Sequence, residues 1–416
     1  MEKVLKVFQQ TGWQFFGKII TSLSTIIILG MVARVYGTVG TGILTLTLAY
    51  LSFFILAADF GLNAHILPEL FKKDFSLTWQ KLLGLRIIWS AILSLLAILI
   101  VFAWPVTAHI EQTSLFRQSV ILGAVMVVAA GVFITTTAFF QSRLRYDLNV
   151  FAIILGTLAT LGLAVILVRL NTSPSNLILG YVLGGFVSGI FALAFVKKFI
   201  QNILPIIDFA FIKKVFLQSW PLSLTLLLNT VYFRLDVFIL TSMKSFSEVG
   251  VYNIAYQIFQ GVLVIPGFIM NSFYPIMLKD YSYNLQRFTA NLTKAVFGMF
   301  ALALAGTFII LVFSSPLINV ITGSNDFAGS AASLQILALS FPAFFITAVL
   351  MWVMIVLRKY KTMLSIYFIG LIFSVILNIV FIPRYSYFGA AWVTVISEYL
   401  ILILQIVILR KALWTR

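Results

Sequence analysis

The sequence contains no cysteine and only two histidines, His65 and His109. It therefore cannot form a disulfide or a thiolate site, and two isolated histidines do not make a metal centre. Charged residues are also scarce, at 10% of the chain. At 62% hydrophobic, the chain has more apolar surface than a soluble fold can bury. These values exclude a soluble enzyme, a disordered scaffold and, despite a net charge of +16, a nucleic-acid-binding protein.

Several motifs of enzyme chemistry are missing as well. The chain has no Walker A, HExxH or GxSxG motif and no cluster of acids suited to a metal. Each predicted outer loop is short, which leaves no place for an external catalytic domain. We therefore expect a protein that is not an enzyme and has no cofactor or metal, and ATP-driven transport would require a partner.

Long apolar runs are what the chain does have. A helix needs about 20 residues to cross about 30 Å of hydrocarbon. Such runs cover residues 12–36, 39–62, 81–106, 117–140, 150–169, 177–196, 217–241, 250–276, 291–314, 328–356, 363–382 and 388–409. We predict an all-α integral membrane protein with about 12 transmembrane helices.

The cationic residues fix the orientation of these spans. With the N-terminus in the cytoplasm, most of the 28 lysines and arginines fall on the inner side, as the positive-inside rule requires. We predict a multi-pass membrane protein with both termini in the cytoplasm. The positive charge then attracts anionic membrane lipids and not nucleic acid.

The longest inner connection covers residues 197–216, with a lysine pair near each end and apolar residues between. It is typical of an interfacial amphipathic segment. We therefore predict two six-helix lobes, residues 1–204 and 205–416, around a central cavity. Gly40 and Gly250 open equivalent spans of the two halves, and repeated halves are common in transporters.

Polar residues inside three spans recur at helical spacing. These sets are Thr11, Gln14, Lys18, Ser22 and Thr25 in span one, Gln218, Thr225, Asn229, Tyr232 and Asp236 in span seven, and Asn253, Gln257, Gln260, Gly267 and Asn271 in span eight. Each set lies on one face of its helix. The sets indicate either a hydrated cavity or hydrogen bonds between neighbouring helices.

Charged residues within or beside the spans are candidate site residues. Lys18 lies about 9 Å along span one, where it either lines an inward-open cavity and attracts phosphate or extends to the interface. Arg234 has the same two interpretations. Asp236, Glu398 and Asp59 are candidates for ion coupling or for the lobe interface. Asp236 could instead pair with a base on another span, Glu398 could form a structural pairing, and Asp59 could be a local anchor.

Short motifs resemble those of a known family. Ala33-Arg34-Val35-Tyr36-Gly37, Gly40-Thr41-Gly42 and Asp59-Phe60-Gly61-Leu62 resemble the opening of polysaccharide exporters of the O-antigen flippase (Wzx) type. The stretches 234–240 and 249–256, followed by Pro275, resemble the second-half signature of that family. The resemblance covers the whole chain in length and span count.

The resemblance implies the MATE-like fold of the multidrug/oligosaccharidyl-lipid/polysaccharide (MOP) exporter superfamily. It also implies translocation of an undecaprenyl-pyrophosphate-linked oligosaccharide by alternating access, with H+ or Na+ coupling and a polysaccharide polymerase or other assembly proteins as partners. On this basis Lys18 and Arg234 would meet the pyrophosphate, and Gln14, Asn229, Gln257 and Gln260 the sugar. The alternatives are a multidrug or metabolite exporter and a non-transport membrane enzyme or scaffold. Lys18, in a span without acids, argues against a cationic substrate.

Overall fold

The structure, a computed structural model, describes residues 2–67, 69–71, 75–103 and 110–414, which contain helices and turns and no strand. The helices are α1 (Glu2–Asp59), α2 (Leu62–Ile66), α3 (Phe75–Ala103), α4 (Ile110–Gly123), α5 (Val125–Arg143), α6 (Tyr146–Arg169), α7 (Ile178–Val196), α8 (Phe209–Met243), α9 (Phe246–Tyr283), α10 (Leu285–Thr322), α11 (Ala328–Ala338), α12 (Phe341–Val356) and α13 (Tyr360–Trp414). The predicted all-α class is confirmed.

Length and composition identify the membrane spans. Within the described ranges, eight helices are long and apolar enough to cross a membrane, and a bent pair formed by α11 and α12 makes nine. With 58 and 55 residues, α1 and α13 are each long enough for two crossings. If α1 and α13 are each counted as two spans and α8 is added to the nine, the total agrees with the predicted number of about 12.

A kink divides each of these two long helices. Gly37 in α1 has φ 62° and ψ −158°, and Ser386 in α13 has φ 51° and ψ −134°. The hydroxyl of Ser386 donates to Glu248 Oε1 at 2.5 Å. Glu248 also completes a capping box with Ser245 at the start of α9, so one carboxylate holds both the helix start and the kink.

We expect Gly37→Ala to destabilise the protein by about 1–3 kcal/mol, because essentially only glycine adopts this backbone conformation. A Cβ at Gly37 meets no atom within 4 Å, so the cost is torsional and not steric. The thermal midpoint in detergent measures the effect. Gly162→Ala is the control, since this helical glycine also has open space for a Cβ. Equal midpoints for the two variants would contradict the argument.

The packing of α6 against α7 depends on small residues. A Cβ on Gly184 would lie 2.6 Å from the carbonyl oxygen of Gly156, and a Cβ on Gly156 would lie 2.4 Å from that of Gly184. The two backbones are therefore in direct contact. Close backbone approach of this kind promotes helix association in a bilayer, where no hydrophobic force draws helices together.

The helices form two compact units, Met1–Val231 and Tyr232–Arg416. In the first unit, α6 packs on α1 and α7, and α5 packs on α3 and α7. In the second unit, α10 packs on α9, α11 and α12, and α13 packs on α11 and α12. The units divide within α8, whereas the predicted lobe boundary at residue 205 lies in the preceding connection. That boundary and the central cavity stay predictions.

Candidate functional site

The polar face of α1 presents an exposed cation. Gln14 and Lys18 lie one turn apart, and both side chains are exposed. The hydroxyl of Thr21 donates to the carbonyl oxygen of Lys18 at 3.0 Å, and that of Thr25 donates to Thr21 at 2.9 Å. These two hydroxyls are thus used within the helix. No described carboxylate forms an ion pair with Lys18, so its ammonium group is available to a ligand.

Asp59 is part of a buried hydrogen-bond group at the end of α1. The Nη2 atom of Arg86, which is fully buried, lies 2.9 Å from Asp59 Oδ1 and 2.8 Å from Asn63 Oδ1. The turn between these partners contains Phe60 and Gly61, both with positive φ. Arg86 therefore holds a left-handed turn in place. This geometry favours the local-anchor interpretation of Asp59, while its role in coupling stays a prediction.

Asp236 is a buried carboxylate near the end of α8. One oxygen accepts the backbone N–H of Val237 at 2.8 Å, and the other accepts the hydroxyl of Tyr252 on α9. Tyr252 is fully buried and stacks on Tyr256 with 5.5 Å between ring centroids. The carboxylate is therefore held by donors on two helices.

Arg234 contacts the second of these tyrosines. Its guanidinium carbon lies 5.9 Å from the centre of the Tyr256 ring, within the range of a cation–π interaction. Tyr256 also interacts electrostatically with Asp236, so the guanidinium and the carboxylate both act on one tyrosine. Gln260, half-buried one turn further along α9, lies within hydrogen-bonding reach of the Tyr256 hydroxyl.

Glu398 is buried in α13. Its Oε1 accepts the hydroxyl of Thr347 on α12 at 2.6 Å. The carboxylate also lies near enough to Tyr256 and Tyr367 to interact electrostatically with both. Tyr256 thus interacts with Asp236, Arg234, Gln260 and Glu398. We call this set the second-unit cluster: Arg234, Asp236, Tyr252, Tyr256, Gln260, Thr347 and Glu398.

The structure therefore brings together four of the predicted site residues, which are Arg234, Asp236, Gln260 and Glu398. Gln257 is half-buried on α9, three residues before Gln260, and Gln14 and Lys18 share the exposed face of α1. The side chains of Asn229 and Thr11 lie outside the described part of the chain.

The sequence did not single out Tyr252 and Tyr256 as site residues. Their spacing of four residues places them on one face of α9, but the same spacing is typical of aromatic residues in a helix core. Nor did it single out Gln10, whose buried side chain accepts the backbone N–H of Tyr146 at 2.6 Å and joins the starts of α1 and α6.

Two buried carboxylates near tyrosine hydroxyls provide the oxygen atoms that a proton or a small cation requires. Among the described residues, no group of three or more His, Asp or Glu side chains could hold a metal ion. The second-unit cluster therefore provides hydrogen-bonded oxygen atoms, with one guanidinium group beside them.

Solved transporters share this arrangement of helices. An inward-facing MATE-family multidrug resistance transporter of the MOP superfamily has a TM-score of 0.81 at 13% identity, with 95% of each chain covered. Lipid II flippase MurJ, in an inward closed conformation, has a TM-score of 0.74 at 13% identity, with 97% of this chain and 87% of MurJ covered. A MOP superfamily transporter from Pyrococcus furiosus has a TM-score of 0.69 at 13% identity, with 98% and 95% covered. The chain is a multi-pass membrane protein with the fold of these transporters.

Family models make the assignment more specific. The model described as "Polysaccharide biosynthesis protein" matches residues 7–279, and the MatE model matches residues 221–380. The chain belongs to the polysaccharide biosynthesis protein family. No curated protein sequence matches it. The resemblance inferred from the short motifs and the MATE-like fold class are both confirmed.

Proposed function

We propose that this protein is a flippase that moves an undecaprenyl-pyrophosphate-linked oligosaccharide repeat unit from the cytoplasmic to the outer leaflet by alternating access. It does so in the bacterial inner membrane, with both termini in the cytoplasm. The observation that carries the proposal is the exposed Gln14–Lys18 face of α1, in a chain of the polysaccharide biosynthesis protein family. A pyrophosphate and a sugar cannot cross hydrocarbon without polar groups to replace their water.

The roles of the polar residues follow from this chemistry. Lys18 and Arg234 are the cations for the pyrophosphate, because charge-assisted hydrogen bonds to phosphate are the strongest that side chains offer. The amides of Gln14, Asn229, Gln257 and Gln260 bind the hydroxyl groups of the sugar. The lipid tail remains in the bilayer throughout.

Asp236 and Glu398 are the residues that couple flipping to an ion. Both are buried carboxylates with a hydroxyl donor, and both interact with Tyr256. Because charging a buried carboxylate is costly, binding H+ or Na+ there changes the energy of the second unit. Asp59 is a third candidate, with its position fixed by Arg86. A polymerase or other assembly protein receives the flipped repeat unit.

A second function, export of drugs or metabolites, is favoured by the match of the MatE model to residues 221–380. It predicts altered drug resistance with normal surface glycan. The exposed Lys18 on α1, in a span without acids, argues against this function for cationic drugs, because like charges repel.

Deletion of the gene tests the proposed function. We expect lipid-linked repeat units to accumulate on the cytoplasmic leaflet, which a membrane-impermeant sugar-modifying enzyme measures in intact spheroplasts and in inverted vesicles. Normal surface glycan, with the lipid-linked units evenly distributed between the leaflets, would contradict the proposal. Chemical conversion of the lipid substrate in detergent would instead indicate an enzyme.

We expect Lys18→Ala to raise the substrate concentration needed for half-maximal flipping about tenfold, because a hydrogen bond to a charged phosphate contributes about 1.5–3 kcal/mol. Lys18→Arg should retain most activity. Lys361→Ala removes another exposed lysine and is the matched control. Flipping in proteoliposomes is the measurement, and the yield of membrane-inserted protein is compared alongside it. Unchanged flipping by Lys18→Ala would mean that Lys18 only extends to the interface.

A further inference from the structure

We propose that the connector, residues 197–216, is a binding surface for anionic phospholipid headgroups. This inference is independent of the transported substrate. The connector joins α7, the last helix of the first six spans, to α8, and its residues 209–216 form the first turns of α8. The structure describes every residue of the connector, and the two sides of the connector carry different kinds of side chain.

One side of the connector is part of the first unit's core. Ile200 and Val215 are 2% and 3% exposed, and they belong to a buried cluster that includes Trp79 and Phe139. Ile203 and Phe211 pack against the same cluster. The connector is therefore a docked segment with one defined outer side.

Contacts with α3 fix the backbone of the connector. The N–H of Ile206 donates to the carbonyl oxygen of Gln80 at 3.1 Å, and the Gln80 side chain donates to the carbonyl oxygen of Asn202. A Cβ on Gly84 would lie 2.2 Å from the carbonyl oxygen of Ile206. Only a glycine at this position allows the connector to lie so close to α3.

The outer side presents apolar groups that no described part of the first unit covers. Leu204, Ile207 and Phe209 are 68%, 56% and 78% exposed. A surface of this kind costs free energy in water, and it is stabilised where it enters the boundary between headgroups and acyl chains. The apolar residues thus favour a membrane interface over solvent.

Four exposed lysines flank these apolar groups, namely Lys197, Lys198, Lys213 and Lys214. No described carboxylate forms an ion pair with any of them. The acid within the connector, Asp208, is already occupied, since Lys81 lies 2.7 Å from it. Hydrogen bonds from Lys81 and from the backbone N–H of Phe211 hold the pKa of Asp208 below its usual value, so it stays ionised and paired.

The connector therefore combines uncompensated positive charge with exposed apolar side chains on one fixed side. Anionic phospholipids match both properties, because they provide negative headgroups above an apolar layer. Phosphatidylglycerol is the probe that we choose for this surface. Free phosphate matches only the charge, and a zwitterionic lipid matches only the apolar part.

The test uses the purified full chain in detergent. Added phosphatidylglycerol should raise the thermal midpoint more than phosphatidylcholine does, and native mass spectrometry should detect bound phosphatidylglycerol. In the variant with Lys197, Lys198, Lys213 and Lys214 all changed to Gln, we expect the extra rise and the number of retained lipids to fall by half or more. The control changes Lys279, Lys294, Lys359 and Lys361 to Gln, which removes the same charge from the second unit.

Each outcome decides the proposal. Equal loss in the connector variant and the control, or no loss in either, would overturn it. A comparable rise with inorganic phosphate would identify an ion site in place of a lipid surface. If the fourfold variant does not fold, the Lys197→Gln/Lys198→Gln and Lys213→Gln/Lys214→Gln pairs replace it, and each should lose about half of the lipid effect. High salt should weaken the wild-type effect, because it screens exposed charges.

Discussion

Replacement of Asp59 by alanine is expected to destabilise the protein by about 3 kcal/mol or more, because it leaves the Arg86 guanidinium buried without a counter-charge. Arg86 is 0% exposed at its side chain and Asp59 is 25% exposed. Arg86 is therefore the more deeply buried partner of this ion pair. An isolated Asp59 carboxylate can be hydrated, whereas an isolated Arg86 cannot.

The unequal burial predicts an asymmetric mutant cycle. Arg86→Met should cost less than Asp59→Ala, since methionine fills much of the same volume without a charge. The double variant Asp59→Ala/Arg86→Met should recover most of the stability that Asp59→Ala loses. Thermal and denaturant unfolding of the purified protein measure all three variants. Additive effects, or a loss below about 0.5 kcal/mol for Asp59→Ala, would contradict a buried ion pair that holds the turn.

The same cycle distinguishes the two interpretations of Asp59. If Asp59 is a local anchor, the double variant should regain flipping together with stability. If Asp59 binds the coupling ion, stability should return without ion-stimulated flipping. The geometry supports the first outcome, because Arg86 Nη2 contacts Asp59 and Asn63 together across the left-handed turn.

Most of the fold was predictable because the bilayer sets the length of each span. Apolar runs gave about 12 helices, and the break at Gly37 was visible as a turn sequence. A break was also predicted between the runs 363–382 and 388–409, but the sequence did not show that Ser386 takes the positive φ, because this serine is held by a contact with Glu248 that is distant in sequence. Hydropathy reports the length of a helix and not its rotation or its neighbours.

The sequence predicted the candidate site only in part for the same reason, because it does not show how helices are rotated or which helices are neighbours. Helical spacing placed Gln257 and Gln260 on one face, but it did not show that Asp236 pairs with Tyr252 or that Glu398 lies near Tyr256. Those pairings depend on the depth and rotation of separate helices. The four-residue spacing of Gly180 and Gly184 was a readable signal for close packing, although the partner helix α6 was not readable from it.

The proposed ion coupling leads to a second large expected effect. Asp236→Asn should abolish the stimulation of flipping by an imposed H+ or Na+ gradient. We expect a loss of at least fivefold, since coupling free energies commonly correspond to factors of about 5–150. The variant should still fold, because the amide oxygen can accept the Val237 N–H while the amide nitrogen donates to the Tyr252 hydroxyl oxygen. The substitution removes the negative charge that a bound cation requires.

Asp280→Asn is the matched control for this prediction. Asp280 lies in the same unit and is 6% exposed, as is Asp236, but its carboxylate binds Asn291 at 2.7 Å and Arg287 at 3.5 Å. Its replacement should lower stability without a selective loss of gradient stimulation. Flipping of lipid-linked oligosaccharide in proteoliposomes, with each gradient imposed separately, identifies the ion. Full stimulation of Asp236→Asn by both gradients would exclude Asp236 as the coupling residue, and the same result for Asp236→Asn/Glu398→Gln would exclude the second-unit cluster.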